Sequence, residues 1–325
     1  SRVEGTFRQV AEQYLEQVKR LEWKESTKTE KEWLSRFNRL IFPVIGDKMV
    51  THITTDDVLE IVRPIWMTTH ETADRCRFQI SAVIDYAIAM RISDRANPAA
   101  HRIMQNVLPP WKGQEQHWAA LPFEQLPRFW SDLCAQQAKA EKKGQSTASH
   151  EALKILILTA CRSLDVRSMK WDDLDLDRGE WNAIINKATT NVSVALHKVT
   201  LPKAAHDILS GRMQEAPTNE FVFAGLNTKT KHVTEAAVRK QLRALGYTDA
   251  FGRPITIHGF RSCFMDWVRV HNVETTEVAD QQLAHTEKDT VLAAYARSDL
   301  VARRATMMQK YAAYALGLEA PALAA

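Results

Sequence analysis

Six residues of types that handle phosphate esters recur in the second half of this 325-residue chain, in the order Arg162, Lys187, His258-x-x-Arg261, His285 and Tyr295. Planar arginine forks match the oxygens of a phosphate better than a lysine ammonium does. Histidine is suited to moving a proton near neutral pH. Tyrosine, with a pKa of about 10, is a weak nucleophile that needs a proton acceptor and a cationic field. Taken singly, each is ordinary. An Arg after a buried helix is usually a surface or capping residue, and a lone H-x-x-R puts two polar groups on one helical face. A Lys in a hairpin turn is solvated by default, and a Tyr on an amphipathic helix usually packs in a core. It is their combination and order that carry information.

The elements that must position these residues follow from periodicity. Phe7, Val10, Ala11, Tyr14, Leu15 and Val18 fall at helical spacing behind Thr6 as a cap. A second helix carries Trp33, Leu34, Phe37, Leu40 and Ile41 and is expected to stop at Pro43 and Gly46. A third begins at Thr54-Thr55-Asp56-Asp57, with a capping hydroxyl and first-turn acids, and is expected to end before Pro64. A fourth spans about Glu71 to Met90, and Asn97-Pro98 closes this bundle. Residues 107–121 break periodicity with Pro109, Pro110 and Gly113 and read as a linker. Helices at 123–138 and 148–161 then flank a polar stretch, Lys139 to Ser149, that reads as an exposed loop. The period changes at Trp181–Asn186 and Val192–Leu201, which read as a small antiparallel sheet with its turn around 187–191. Helices resume at 203–214, 234–245, 258–271, 277–284, 289–296 and 300–315.

Composition bounds the function. Hydrophobic residues make up 45% and charged residues 25%, ordinary for a globular protein with a full core, which excludes disordered, collagen-like and disulfide-scaffold classes. The longest purely aliphatic run, Ile155 to Leu158, is far short of a membrane span, and the N-terminus has no signal-peptide core. The chain starts without a methionine, as a processed or cloned fragment would. A net charge of +4 permits a nucleic-acid partner without demanding one. Cys76, Cys134, Cys161 and Cys263 form no C-x-x-C pair, so a reducing cytoplasm is the expected compartment. The 11 histidines show no ligand spacing, so neither a metal nor a cofactor is expected.

The order and separation of the catalytic-type residues resemble the tyrosine recombinase (phage integrase) family, most of all integrases of phages and genomic islands. The likeness is carried by Thr159-Ala-Cys-Arg162-Ser-Leu-Asp165, His258-Gly-Phe-Arg261, Leu283-Ala-His285 and Ala294-Tyr-Ala-Arg297. Ile41-Phe-Pro-Val-Ile-Gly46, Glu71-Thr-Ala-Asp-Arg75 and Asn97-Pro-Ala extend it into the first hundred residues, so that it covers about residues 5 to 315. The resemblance implies a mainly α fold with a small antiparallel sheet, organised as a two-domain DNA clamp. Residues 1–106 would be a helical core-type DNA-binding domain, 107–121 a linker, 122–315 the catalytic domain and 316–325 a tail.

The resemblance also implies roles. Tyr295 would attack a DNA phosphate to leave a 3′-phosphotyrosyl link. Arg162 and Arg261 would clamp the non-bridging oxygens, His258 and His285 complete the pocket, Lys187 protonate the leaving 5′-oxygen and Asp165 orient the pocket. The physics agrees: charge gathering on equatorial oxygens is met by guanidinium forks, and no metal is required. The stretch between Lys187 and His197 is longer than the group's hairpin, which leaves Lys198 as a competing candidate. Cys161 stands where the family commonly has Gly, and Tyr311 reads as core packing. The implied activity is site-specific recombination of double-stranded DNA attachment sites by a tetramer passing through a Holliday junction, with an accessory DNA-bending or excisionase protein as a further partner and the bacterial nucleoid as the place of action. Phage-type relatives often carry an additional arm-binding domain, and the sequence begins where the core-binding domain would. Three rivals stay open at this stage: a type IB topoisomerase-like enzyme, a catalytically silent DNA binder on the same fold, and a helix-turn-helix regulator.

Overall fold

The computed structural model describes residues 5–23, 27–111, 118–185, 195–215, 219–225, 231–284 and 299–318. Two compact units divide the chain, 1–114 and 115–325.

In the first unit, α1 (Phe7–Tyr14) starts at a reciprocal cap: Thr6 Oγ1 accepts from the Gln9 amide, and Gln9 Oε1 accepts from the Thr6 amide at 3.0 Å. A π-helical turn, Leu15–Lys19, carries this helix into Arg20–Trp23. Helix α2 (Thr27–Arg36) likewise passes through a π-helical turn, Phe37–Ile41, into Phe42–Ile45. The helical run therefore does not stop at Pro43. The proline sits in the first turn of the last segment, where the π-helical spacing ends, and the run stops at its C-cap, Gly46. Helix α3 (Thr55–Trp66) is capped by Thr54 and Asp57, and Lys48 pairs with that Asp57. It runs past Pro64, because a proline in an exposed last turn removes one bond and leaves the carbonyl of exposed Glu60 open to water. Helix α4 (His70–Ala89) and short α5 (His101–Met104) complete the unit. Phe7, Phe37, Ile41, Ile45, Val58, Ile80 and Val83 are fully buried in its core, each contributing roughly 1.5–3 kcal/mol of apolar burial.

The segment after α5 is built against this unit. Trp66 Nε1 donates to Pro109 O at 2.9 Å, and Trp111 stacks on the His70 ring with centroids 4.1 Å apart.

The second unit is organised round α7 (Ala148–Thr159), whose residues are all buried except Glu151. A helix apolar on every side must be central. Among the described residues, six helices pack round it: α6 (Leu126–Lys142), α8 (Ser163–Arg167), α9 (Lys203–Gln214), α10 (Glu235–Ala244), α11 (Gly259–His271) and α13 (Asp299–Ala315). Helix α12 (Thr276–Gln282) lies against α11 and α13. The polar stretch from Lys139 is shorter as a loop than its composition implies. Helix α6 continues to Lys142, Gly144 turns the chain at φ +66°, and Ser149 and His150 are buried in the first turn of α7.

The sheet is antiparallel in the order β1 (Leu174–Asp175), β2 (Glu180–Ile185), β3 (Ala195–Thr200). Trp181 pairs with Val199 and Ala183 with His197, so these four share the inner face. Asn182 and Lys198 pair on the outer face, where Lys198 Nζ meets Glu180 Oε2 at 2.7 Å. The two-residue β1 has no counterpart in the sequence reading, since two residues carry no period. The turn around 187–191 and the helix at 289–296 lie outside the described residues.

Candidate active site

Arg162 follows a sharp exit from the central helix. Thr159 returns its hydroxyl to Ile155 O at 2.7 Å, and Ala160 then adopts a left-handed conformation, φ +52°. The chain reverses so that Arg162 becomes the extended cap of α8. The backbone that favours glycine is thus at Ala160, one residue before the Cys161 position singled out in the sequence.

Arg261 comes from α11, which starts immediately after His258. Gly259 is required there: a Cβ would lie 2.1 Å from Ala119 O, the carbonyl that also accepts from the Thr256 amide at 2.9 Å. This close approach seats the 118–121 segment against the start of the helix and brings Trp118 over His258, ring centroids 5.1 Å apart. His258 itself is exposed.

The two guanidiniums are fixed by backbone carbonyls. Arg261, 4% exposed, donates from Nη1 to Ala160 O and from Nη2 to Leu283 O, both at 2.7 Å. Arg162 Nη2 donates to Ala284 O at 3.2 Å. Ala284 is also left-handed, φ +50°. Two residues before Ala284, Gln282 O accepts from His197 Nε2 at 3.1 Å, while the Gln282 side chain donates to Thr159 O at 2.8 Å. Three successive carbonyls at the end of α12 therefore receive a histidine and two arginines from three separate elements.

Burial shapes the charges. It pushes Arg261 down to about 10, with Arg162 adding to the fall, and still leaves the guanidinium charged at neutral pH. Asp165 lies beside the pair; burial raises its pKa, and Arg162 and Arg261 pull in the opposite direction. His197 is pushed down to about 4, chiefly by burial and next by Arg304, so it is neutral. Burial lifts the Cys161 thiol to about 11 and Cys263 to about 12, which removes both as thiolate nucleophiles. Among the described residues no group of three or more His, Cys, Asp or Glu could hold a metal ion.

The structure thus brings Arg162, Asp165 and Arg261 together, with His258 at the start of the Arg261 helix. A cavity of about 960 Å³ opens beside His258 and Arg261, lined also by Trp118, Phe251 and Met265. Lys187, His285 and Tyr295 lie outside the described residues. Lys198 occupies the outer face of the sheet in an ion pair, away from the face that His197 shares with Val199. Tyr311 is fully buried between Phe264 and Trp267, ring centroids 5.1 Å from each. Motif reading assigns no role to His197, Gln282 or Arg304. The one available signal was alternation along β3, which puts His197 on the face of buried Val199.

Two family models cover most of the chain: the phage integrase central domain matches residues 7–104, and the phage integrase family matches 120–300. The integrase of Enterobacteria phage P4 is 28% identical over 288 residues, 84% of this chain and 62% of that protein. Prophage integrase IntZ of Escherichia coli (strain K12) is 26% identical over 290 residues, 89% of this chain and 66% of the relative. The chain thus spans a little under two thirds of the length of these relatives. Among solved structures, a lambda integrase (75-356) dimer bound to a COC′ core site superposes with a TM-score of 0.63 at 18% identity, covering 87% of this chain and 96% of that one. The Tn1549 transposon integrase (aa 82-397) in complex with circular intermediate DNA gives 0.64 at 15% identity, covering 93% and 99%. A lambda integrase tetramer bound to a Holliday junction gives 0.62 at 17% identity, covering 88% and 79%. These likenesses establish a shared fold, mainly helical with one small sheet.

Proposed function

The chain belongs to the phage integrase family, and from that premise we propose that it is a site-specific DNA recombinase that cleaves and rejoins duplex DNA to integrate or excise a mobile element. The observation that carries this reading is the pair of arginines held on the adjacent carbonyls of Leu283 and Ala284. Two guanidiniums fixed by backbone atoms form a cationic surface that does not reorganise when charge develops on a phosphate. Arg162 and Arg261 would bind the non-bridging oxygens, with His258 at the pocket edge. Tyr295 attacks phosphorus, its proton passing to a histidine, and the P–O5′ bond breaks as Lys187 gives a proton to the leaving oxygen. The product is a 3′-phosphotyrosyl ester and a free 5′-hydroxyl. Reversal on a different 5′-hydroxyl joins new partners without ATP, because the ester conserves the bond energy. Asp165 would orient the arginines, and His285 completes the pocket.

Residues 1–106 would grip the core-type site and 122–315 carry the chemistry, joined by 107–121, with 316–325 as a tail. The protein relatives seen on a core site and, as a tetramer, on a Holliday junction support four protomers acting on two attachment sites. An accessory DNA-bending or excisionase protein would set direction. Among the described residues no helix is long and apolar enough to cross a membrane, and action on the nucleoid in the bacterial cytoplasm fits this reading.

The test is covalent trapping on nicked duplexes with randomised cores, followed by recovery of protein-linked DNA under denaturing conditions. The expected result is an adduct that disappears in Tyr295→Phe and persists in Tyr311→Phe, since Tyr311 is sealed in the core. DNA binding with no adduct from the wild-type protein would overturn the enzymatic reading in favour of a silent binder.

A further inference from the structure

His197 and Arg304 tie one strand to two helices. At His197, Nε2 donates to Gln282 O, the last residue of α12; the carbonyl can only accept, so Nε2 carries the proton. At the next residue, Lys198 O accepts from Nη2 of buried Arg304 on α13 at 3.2 Å. Successive residues of β3 are therefore linked to the element that precedes residues 285–298 and to the one that follows them. In sequence, β3 closes the hairpin bearing Lys187, while 285–298 contains His285 and Tyr295.

The link reaches the arginines through the main chain. Gln282 O, Leu283 O and Ala284 O are successive acceptors for His197, Arg261 and Arg162. The amides of Leu283 and Ala284 bond back to Ala279 O and Gln281 O, so the turn that carries the three carbonyls is held as one unit. Moving Gln282 O by an ångström would shift the acceptors that aim both guanidiniums. The neutral imidazole suits this place: Arg304, Arg162 and Arg261 all face it, and a further positive charge would repel them.

We propose that His197 is a positioning residue for strand cleavage: through Gln282 O it sets the two carbonyls that hold Arg261 and Arg162, and it registers the hairpin strand to the arginine pair. The inference rests on the recombinase reading for its consequence, and on geometry alone for the placement. A core histidine that only fills space would act on global stability. A positioning histidine acts on the end of α12 and on the chemical step, and is replaced by a side chain with a donor in the place of Nε2.

The experiment compares wild type, His197→Leu and His197→Gln in the full chain. Hydrogen exchange is read at the amides of Leu283 and Ala284, which bond to Ala279 O and Gln281 O. Single-turnover adduct formation is read on the randomised nicked duplexes, with DNA retention measured alongside. In His197→Leu, exchange at these two amides rises at least about tenfold and adduct formation slows roughly 10- to 100-fold, with DNA retention within about twofold. His197→Gln, whose amide nitrogen takes the Nε2 role, restores most of both. If His197→Leu fails to fold, His197→Asn, too short to reach Gln282 O, takes its place. Wild-type exchange in the Leu variant, or a Gln variant no better than Leu, would overturn the proposal. A wild-type protein that forms no adduct would instead sink the recombinase reading, and the exchange arm would still decide the placement.

Discussion

Arg162 and Arg261 donate to neighbouring carbonyls of the same short segment, Ala284 O and Leu283 O. Both acceptors are neutral backbone atoms, so these bonds fix the guanidiniums in place without cancelling their charge.

Arg261→Lys keeps the charge and loses the fork. A lysine nitrogen cannot span Ala160 O and Leu283 O in one plane, as Arg261 does with two bonds of 2.7 Å. Urea denaturation should show a loss of about 1–3 kcal/mol. Adduct formation should fall by roughly 100-fold or more, with DNA retention largely kept.

Ala160→Gly and Cys161→Gly should differ in sign. The left-handed φ of +52° belongs to Ala160, where glycine relieves strain of about 1–2 kcal/mol against an unfolded-state entropy cost of about 0.4–1 kcal/mol. The expected outcome is a small gain in melting temperature. Cys161 is buried and has no such strain to relieve, so its replacement should lower the melting temperature.

How much of this was legible in the sequence follows from the kind of atom involved. Arg162, Asp165, His258 and Arg261 announce themselves because few chemistries need those side chains in that order. Their acceptors are backbone carbonyls, which have no letter. Nor does a left-handed alanine signal itself, since Ala160 stands where glycine would have given the turn away. Pro43 and Pro64 misled in the other direction: the helical run passes Pro43 where its π-helical spacing ends, and α3 passes Pro64 in an exposed last turn. Helices α7 and α11 were readable because long apolar periods outlast local noise, whereas the two residues of β1 offered no period at all.

Gly259→Ala tests the seating of the 118–121 segment. Its Cβ would meet Ala119 O at 2.1 Å, a backbone atom that cannot rotate away. The segment must shift and strain its bonds to Thr256, at a cost of about 1–3 kcal/mol. Differential scanning calorimetry should show the loss, and Trp118 fluorescence should report the movement beside His258.

Acid should destabilise the fold through His197. Its folded pKa is about 4 against an ordinary 6.5, so the folded chain favours the neutral ring. Below pH 6.5 the unfolded chain takes up a proton that the folded one refuses, and stability falls as pH drops from 6.5 towards 4. The loss is at most roughly 3 kcal/mol. His197→Gln should flatten that part of the profile, measured by denaturant unfolding at pH 7 and pH 4.5.

The carbonyls of 282–284 also bear on how this protein can change over generations. An acceptor supplied by the main chain survives a change of side chain, so residue 283 can vary among apolar types, and residue 284 among those that tolerate its backbone, without altering what the arginines hold. Heritable constraint falls instead on the donors and on whatever keeps Ala284 at φ +50°, a conformation that admits Gly and Asn more readily than a β-branched residue. Variation at Leu283 should be neutral towards cleavage as long as an apolar residue fills its buried place. A lineage could therefore replace these letters while its reaction stayed the same.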